Sequence, residues 1–284
     1  MPRNPILFGG WMPALLLLGA VAAGGTHSAP ATQTAPAAQT GPARELVEPS
    51  AAAAATALAD RLAQALGGWE AWNQLRYLRF AFVVEKDGQQ LASREHLWDK
   101  RAGRARVEWS DKEGHSWIAT LDLATRGGRA LRDGQEVSGE DLSKALERAY
   151  GAWVNDTYWL VMPFKTRDPG VHLAAEGTEQ VEGRPYEKLA LSFDRVGLTP
   201  GDHYWVYINK ATGVMDRWAY VLEDQQPPPT VWEWRDWREL GGVRLSAEKD
   251  KVGDQVKILM RGLSAPASVP QELLTDPTTK LPGD

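Results

Sequence analysis

The stretch Trp153-Val154-Asn155-Asp156-Thr157-Tyr158-Trp159-Leu160-Val161-Met162-Pro163-Phe164-Lys165, followed by Asp168-Pro169-Gly170-Val171, decides how the chain is read. It sets Trp, Tyr, Phe and Met side chains among aliphatic ones, and its polar residues are grouped as Asn155-Asp156-Thr157. A half-buried strand would alternate, so the pattern predicts a short helical insert between two β-rich halves. Pro163 must end any helix near Met162, because its ring disfavours the α conformation of the residue before it. With Asn155 or Asp156 as the cap, the insert comes to about two turns at most. Asn155-Asp156-Thr157 also fits a glycosylation sequon, although a cap set among aromatic side chains leaves little room for a glycan.

Outward from this stretch, Ser138-Gly139-Glu140-Asp141 has capping-box spacing, and Leu142, Ala145, Leu146 and Ala149 form a helical stripe that leads to Trp153. Before it the period is two. Leu78, Phe80, Phe82 and Val84 alternate with Tyr77, Arg79, Ala81 and Val83; Leu91–Trp98, Ala105–Trp109 and Trp117–Leu121 follow, with Asp87-Gly88 and Asp133-Gly134 as hairpin turns. After Gly170 strands resume around Leu189–Phe193, His203–Asn209, Val214–Leu222, Val231–Trp237, Val243–Ala247 and Val256–Met260. Turns are read at Pro200-Gly201, Asn209-Lys210-Ala211-Thr212-Gly213 and Gly253-Asp254. Some ten strands at hairpin spacing, interrupted once by a helical pair, predict a mainly β (α+β) fold: a single curved antiparallel sheet with one apolar face.

The N-terminus reads as an address. Arg3 precedes the apolar run Ala14–Ala23, and Ala20-Val21-Ala22 offers a small-residue cleavage site, so residues 1–29 are expected to be a cleaved Sec-type signal peptide. No twin-Arg is present, and Gly9, Gly10 and Pro13 interrupt the run before it reaches membrane-spanning length. The expected compartment is the periplasm or the exterior. Residues 30–50, rich in Ala, Pro, Thr and Gln, are expected to be a disordered linker. Ser50 caps an Ala-rich helix with Leu58, Leu62, Ala65 and Leu66 on one face, stopped by Gly67-Gly68. The folded domain is expected over 51–264, and 265–284 is a tail without periodic pattern.

Composition narrows function by exclusion. A net charge of −5 over 284 residues, with no basic cluster, excludes a nucleic-acid footprint. The absence of Cys removes disulfides, thiolate metal sites, a Cys nucleophile and a lipidated N-terminal Cys. Trp occurs 13 times against 5 Phe, a bias that suits interfaces and pocket walls as well as cores.

The helix before a long antiparallel meander, the helical insert and the Asn209-Lys210-x-Thr212-Gly213 hairpin resemble the outer-membrane lipoprotein carrier and receptor (LolA/LolB-like) superfamily. The run from Asn155-Asp156-x-Tyr158-Trp159-Leu160 through Pro163-x-Lys165 to Gly197-Leu198-Thr199-Pro200-Gly201-Asp202 resembles a branch of it. The resemblance covers roughly Leu58 to Leu263 and rests on turn and packing residues, which speak to fold more than to activity. It implies an unclosed β-barrel whose concave face, covered by helices, holds acyl chains. The lipidated Cys of the receptor member is missing.

Chemical motifs are sparse. Gly114-His115-Ser116-Trp117-Ile118 starts like a nucleophile elbow, but Ile118 stands where Gly is required and the segment opens a strand. His96, His115, His172 and His203 show no metal-ligand spacing, and Glu248, Asp250 and Asp254 read as a solvated turn, so neither metal nor cofactor is expected. An enzyme would have to be built around Asp156, Tyr158, Asp202 and His203. The expected function is instead non-enzymatic: a carrier or binding protein for an amphiphile or acyl chain, in contact with a membrane or a lipoprotein. The expected ligand-binding residues are Trp153, Tyr158, Trp159 and Met162 on the lid and Phe80, Phe82, Trp109, Trp117, Trp205, Trp218, Trp232 and Trp234 on the concave face. Tyr158 and Trp159 are placed at the boundary between ligand and solvent. The alternative is an exported structural or interaction module whose Trp-rich core is filled by its own side chains.

Overall fold

The computed structural model describes residues 50–194, 202–222 and 226–282. The signal peptide, all of the tether before Ser50 and the Pro200-Gly201 turn lie outside the described residues. Helices α1 (Ala51–Ala65) and α2 (Gly68–Gln74) lead into β1 (Tyr77–Lys86), β2 (Gln89–Asp99), β3 (Arg104–Ser110), β4 (Ser116–Asp122), β5 (Gly128–Arg132) and β6 (Gln135–Glu136). Helix α3 (Gly139–Val161) and a 3₁₀ turn (Met162–Lys165) follow. The second half comprises β7 (Val171–Val181), β8 (Arg184–Phe193), β9 (His203–Asn209), β10 (Met215–Val221), β11 (Thr230–Leu240), β12 (Val243–Lys251), β13 (Val256–Ser264) and α4 (Glu272–Thr275).

These 13 strands form one antiparallel sheet in the order β6-β5-β4-β3-β2-β1-β13-β12-β11-β10-β9-β8-β7. The first and last strands pair in the middle, and the two strands flanking α3 in sequence are the two edges. The sheet is therefore an unclosed barrel, and the helix links edge to edge. At about 1.5 Å per residue its 23 residues span roughly 34 Å.

Local chemistry explains the register. Asp87 and Gly88 have φ of 52° and 75°, and Asp133 and Gly134 have 50° and 79°, the left-handed pairs that a two-residue hairpin requires. Alternation then sends Leu78, Phe80 and Phe82 to one face opposite Trp98, His96 and Arg94, which in turn oppose Ala105, Val107 and Trp109. Helix α1 buries Leu58 and Leu62, with Leu66 buried at its C-cap, as expected, and the side chain of its N-cap Ser50 accepts a hydrogen bond from the Ala53 amide. Its break at Gly67 is a packing requirement, since a Cβ there would lie 2.1 Å from the Gly242 carbonyl oxygen. The elbow between α1 and α2 thus sits directly on the β11–β12 turn, where the Arg244 amide donates to the Leu66 carbonyl at 2.8 Å.

Four features depart from the sequence reading. Asn155 and Asp156 do not cap a two-turn insert; they lie inside one continuous helix that starts after Ser138 and ends where Pro163 forces the 3₁₀ turn. Ser138 occupies the N-cap position without making a side-chain cap bond. Strand β7 is not legible in the sequence because it is an edge with mostly exposed residues and a register shift between Ala175 and Thr178. The segment after Ser264 is also ordered against the sheet: Leu273 and Leu274 pack with Tyr77 and Leu97 on the face opposite α3.

Candidate ligand-binding face

The inner face divides at α3. The first half of the helix lays Ala145, Ala149, Tyr150 and Val154 on Ala105, Val107, Trp109, Ala119, Leu121 and Ala130. Its last turn and the 3₁₀ turn lay Trp159, Leu160, Val161, Met162 and Phe164 on a larger cluster that includes Phe80, Phe82, Trp218, Trp232 and Trp234. Within it Trp159 meets Trp218 edge-on at 4.7 Å and Trp232 at 5.0 Å. Trp218 stacks on Tyr204 at 5.3 Å and approaches Trp234 edge-on at 6.1 Å. Past Asp236, whose φ is 48° although the β11–β12 register runs on unshifted, Trp237 stacks on Trp234 at 6.1 Å.

Between the two clusters lies a polar clasp. Asp156 is completely buried and accepts two hydrogen bonds from the Arg94 guanidinium at 2.6 Å each. It shares a third, at 2.7 Å, with His96 Nε2, and accepts a fourth from Asn155 Nδ2 at 2.8 Å. Phe80 stacks on the His96 ring at 4.8 Å, and the Arg94 guanidinium lies 4.9 Å from the Phe82 ring centre. Burial opposes ionisation of Asp156, but the Arg94 charge and the bonds from Arg94 and His96 outweigh it and hold the carboxyl below its ordinary value. Thr157 satisfies itself by donating to the Trp153 carbonyl at 2.7 Å. The grouped polar residues that looked like a cap are therefore helical residues whose partners come from β2, some 60 residues away. The sequon lies in this same buried turn.

A second buried ionisable group lies on β12. Lys249 is fully buried, donates to the Ser246 carbonyl at 2.6 Å and places its Nζ 4.7 Å from the Trp234 ring centre. Burial drives its pKa well below the ordinary lysine value, with the Asp236 charge opposing that shift. Near β9 the Tyr204 hydroxyl donates to Asp202 at 2.8 Å, and Trp232 Nε1 donates to the Tyr220 hydroxyl at 3.3 Å. Burial raises the phenols of Tyr158, Tyr204 and Tyr220.

The expected site residues are mostly brought together. Phe80, Phe82, Trp218, Trp232 and Trp234 line the inner face under Trp159 and Met162. Trp109 and Trp117 stack in parallel at 5.8 Å beneath the first half of α3, beside Trp153. Trp205 is a correction. It pairs with Ala219 and Ala190 while its neighbours Tyr204 and Val206 occupy the inner face, so strand alternation turns it to the outer face, where it donates to Glu176 at 3.3 Å. Trp159 is a second correction: at 3% exposure it is core and not a boundary residue, whereas Tyr158 is partly exposed. Sequence reasoning missed Arg94, His96 and Lys249. The only signal for them was polar residues at inward positions of otherwise apolar alternations.

The four residues proposed for an enzyme do not converge. Asp156 is committed to Arg94 and His96, His203 is exposed beside Trp205, and Tyr158 packs at 6.2 Å on the Tyr204 ring that reaches Asp202. Among the described residues no group of three or more His, Cys, Asp or Glu side chains is placed to hold a metal ion, and no helix is long and apolar enough to cross a membrane. An open pocket of about 330 Å³ lies on the other side of the first half-sheet, lined by Arg104, Asp122, Arg129, Leu274 and Thr275 among others.

The fold defines an open antiparallel half-barrel with α1 and α3 on its inner face and α4 on the other. No protein-family model matches the chain, and no curated protein matches it. Among solved structures it is similar to a LolA superfamily protein from Nitrosomonas europaea, at 10% identity and a TM-score of 0.44, over 78% of this chain and 97% of that one. It is similar to a DUF1329 family protein from Desulfovibrio piger, at 12% identity and a TM-score of 0.43, over 80% of this chain and 98% of that one. It is also similar to the lipoprotein LppX from Mycobacterium tuberculosis, at 13% identity and a TM-score of 0.28, over 76% of this chain and 99% of that one.

Proposed function

We propose that the protein is an exported, non-enzymatic carrier or binding protein for an amphiphile with an acyl chain, lipid or lipoprotein-like, whose chain enters between the inner face and the end of α3. The observation that carries this reading is the state of the indole N–H groups. Those of Trp109, Trp153, Trp218, Trp234 and Trp237 are buried with no hydrogen-bond partner. Each such donor costs about 1–3 kcal/mol, and edge-on ring contacts return only part of it. A core meant only to be filled would gain by using Phe at these positions. Trp suits a face that exchanges partners, offering ring surface to a chain and a donor to an ester or water. A carrier of this kind is needed because each buried CH₂ is worth about 0.8 kcal/mol, so a long chain does not leave a membrane for water unaided.

A second reading is supported by a different observation. Trp218 and Trp234 are 0% and 1% exposed and are covered by rings of the same chain, as expected of an interaction module with a self-filled core. Native mass spectrometry and lipid extraction of the protein purified from its own cell envelope separate the two. A co-purifying amphiphile supports the carrier; an apo species that also fails to bind an apolar dye supports the self-filled module.

A further inference from the structure

Lys100, set against α2, has no carboxylate partner among the described residues. It follows β2, and its ammonium rests 3.2 Å from the ring centre of Trp72 and donates to the Trp72 carbonyl at 2.5 Å. The cations around it are occupied: Lys165 pairs with Asp168, Arg167 with Asp60, and Arg76 with Asp99 at 2.9 Å. Lys100 is partly buried, and burial together with the nearby Lys165 charge pushes its pKa down to about 7. With Asp168 committed to Lys165, the partly desolvated Lys100 ammonium is left as a surplus positive charge.

The surroundings say what would neutralise it. Trp72 stacks on Phe164 at 4.8 Å and contacts Trp98 at 6.5 Å; Trp98 meets Trp153 at 5.5 Å, and the Trp153 N–H is buried and unpaired. An unbroken aromatic path therefore runs inward from the uncompensated ammonium to an unused donor. We propose that Lys100, with Lys165 beside it, binds the phosphate or carboxylate head of an anionic amphiphile whose chain follows this path to the inner face. This rests on the carrier reading above. An anionic head removes the repulsion between the two lysines, and a neutral head does not.

Calorimetric titration at pH 6.5 with dodecyl phosphate, neutral monolaurin and inorganic phosphate tests it on the wild type, Lys100→Met and Lys100→Arg, each checked by thermal unfolding. The wild type is expected to prefer dodecyl phosphate over monolaurin by at least tenfold. Lys100→Met should reduce that ratio to about twofold or less, and Lys100→Arg should keep most of it. Equal wild-type affinity for the two amphiphiles, or an undiminished preference in Lys100→Met, overturns the headgroup site while leaving the carrier reading standing. Inorganic phosphate binding as tightly as dodecyl phosphate also overturns it, since Lys100 would then be a free anion site. If neither amphiphile binds, the carrier reading falls and takes the headgroup site with it.

Discussion

Replacing Asp156 by Asn keeps the shape of the side chain and removes the charge that joins α3 to the sheet. The carboxylate balances Arg94, whose side chain is 24% exposed, and bonds a His96 that is 0% exposed. Loss of one partner of a buried pair costs about 3–5 kcal/mol, because the other charge stays buried without compensation. For a domain of 150–250 residues each kcal/mol moves Tm by roughly 2–4 °C, so Asp156→Asn should lower Tm by about 6–20 °C. Circular dichroism in the near ultraviolet would follow the many Trp directly. Hydrogen exchange should show the opening concentrated in 153–164, since the first half of α3 retains its own apolar seat. The double variant Arg94→Met with Asp156→Leu should recover much of the loss, because it leaves no orphaned charge on Arg94. A Tm within about 2 °C of wild type for Asp156→Asn, or a double variant as poor as the sum of the singles, would refute the clasp.

Acid should act on the same bond. The Asp156 carboxyl is held below its unfolded value, so its contribution is present above that unfolded value and is lost as pH falls through the folded one. Asp156→Asn should therefore show a shallower loss of stability on acidification below about pH 4. Lys100 gives a slope of the same sign in a higher pH window: its folded value of about 7 lies below the unfolded value, so between the two the unfolded chain holds the extra proton and stability rises with pH. Lys100→Met should flatten that rise in urea titrations at pH 6.5, 8 and 9.5. Trp159→Ala, in contact with Trp218 and Trp232 and nearly fully buried, should cost about 3–5 kcal/mol, as for other buried aromatics; a loss below about 1 kcal/mol would restore it to the boundary. Arg106 is 1% exposed and donates to the carbonyls of Leu273, Asp276 and Pro277, so Arg106→Ala should make 265–282 an early cleavage site in limited proteolysis.

The sequence by itself determined what depends on near neighbours. Asp87-Gly88, Asp133-Gly134 and Gly213 carry backbone preferences in their own side chains or in the lack of one, so the hairpins and most of the strand alternation followed. The α1 stripe, the Gly67 break and the stop at Pro163 were legible for the same reason. Aromatic side chains at period two set Phe80 with Phe82, and Trp232 with Trp234, on one face of their own strands by alternation alone. Only the tertiary structure decided the rest. Asn155-Asp156-Thr157 reads as a helix start until Arg94 and His96 are brought from β2 to neutralise it, and no local pattern encodes a partner some 60 residues away. Trp205 looks like its neighbours until the register with Ala190 and Ala219 turns it outward. Leu273 and Leu274 carry no periodicity because they fill a seat made by Tyr77 and Leu97. Burial, pairing and charge compensation belong to pairs of distant residues, and a chain read in order shows only one member of each pair at a time.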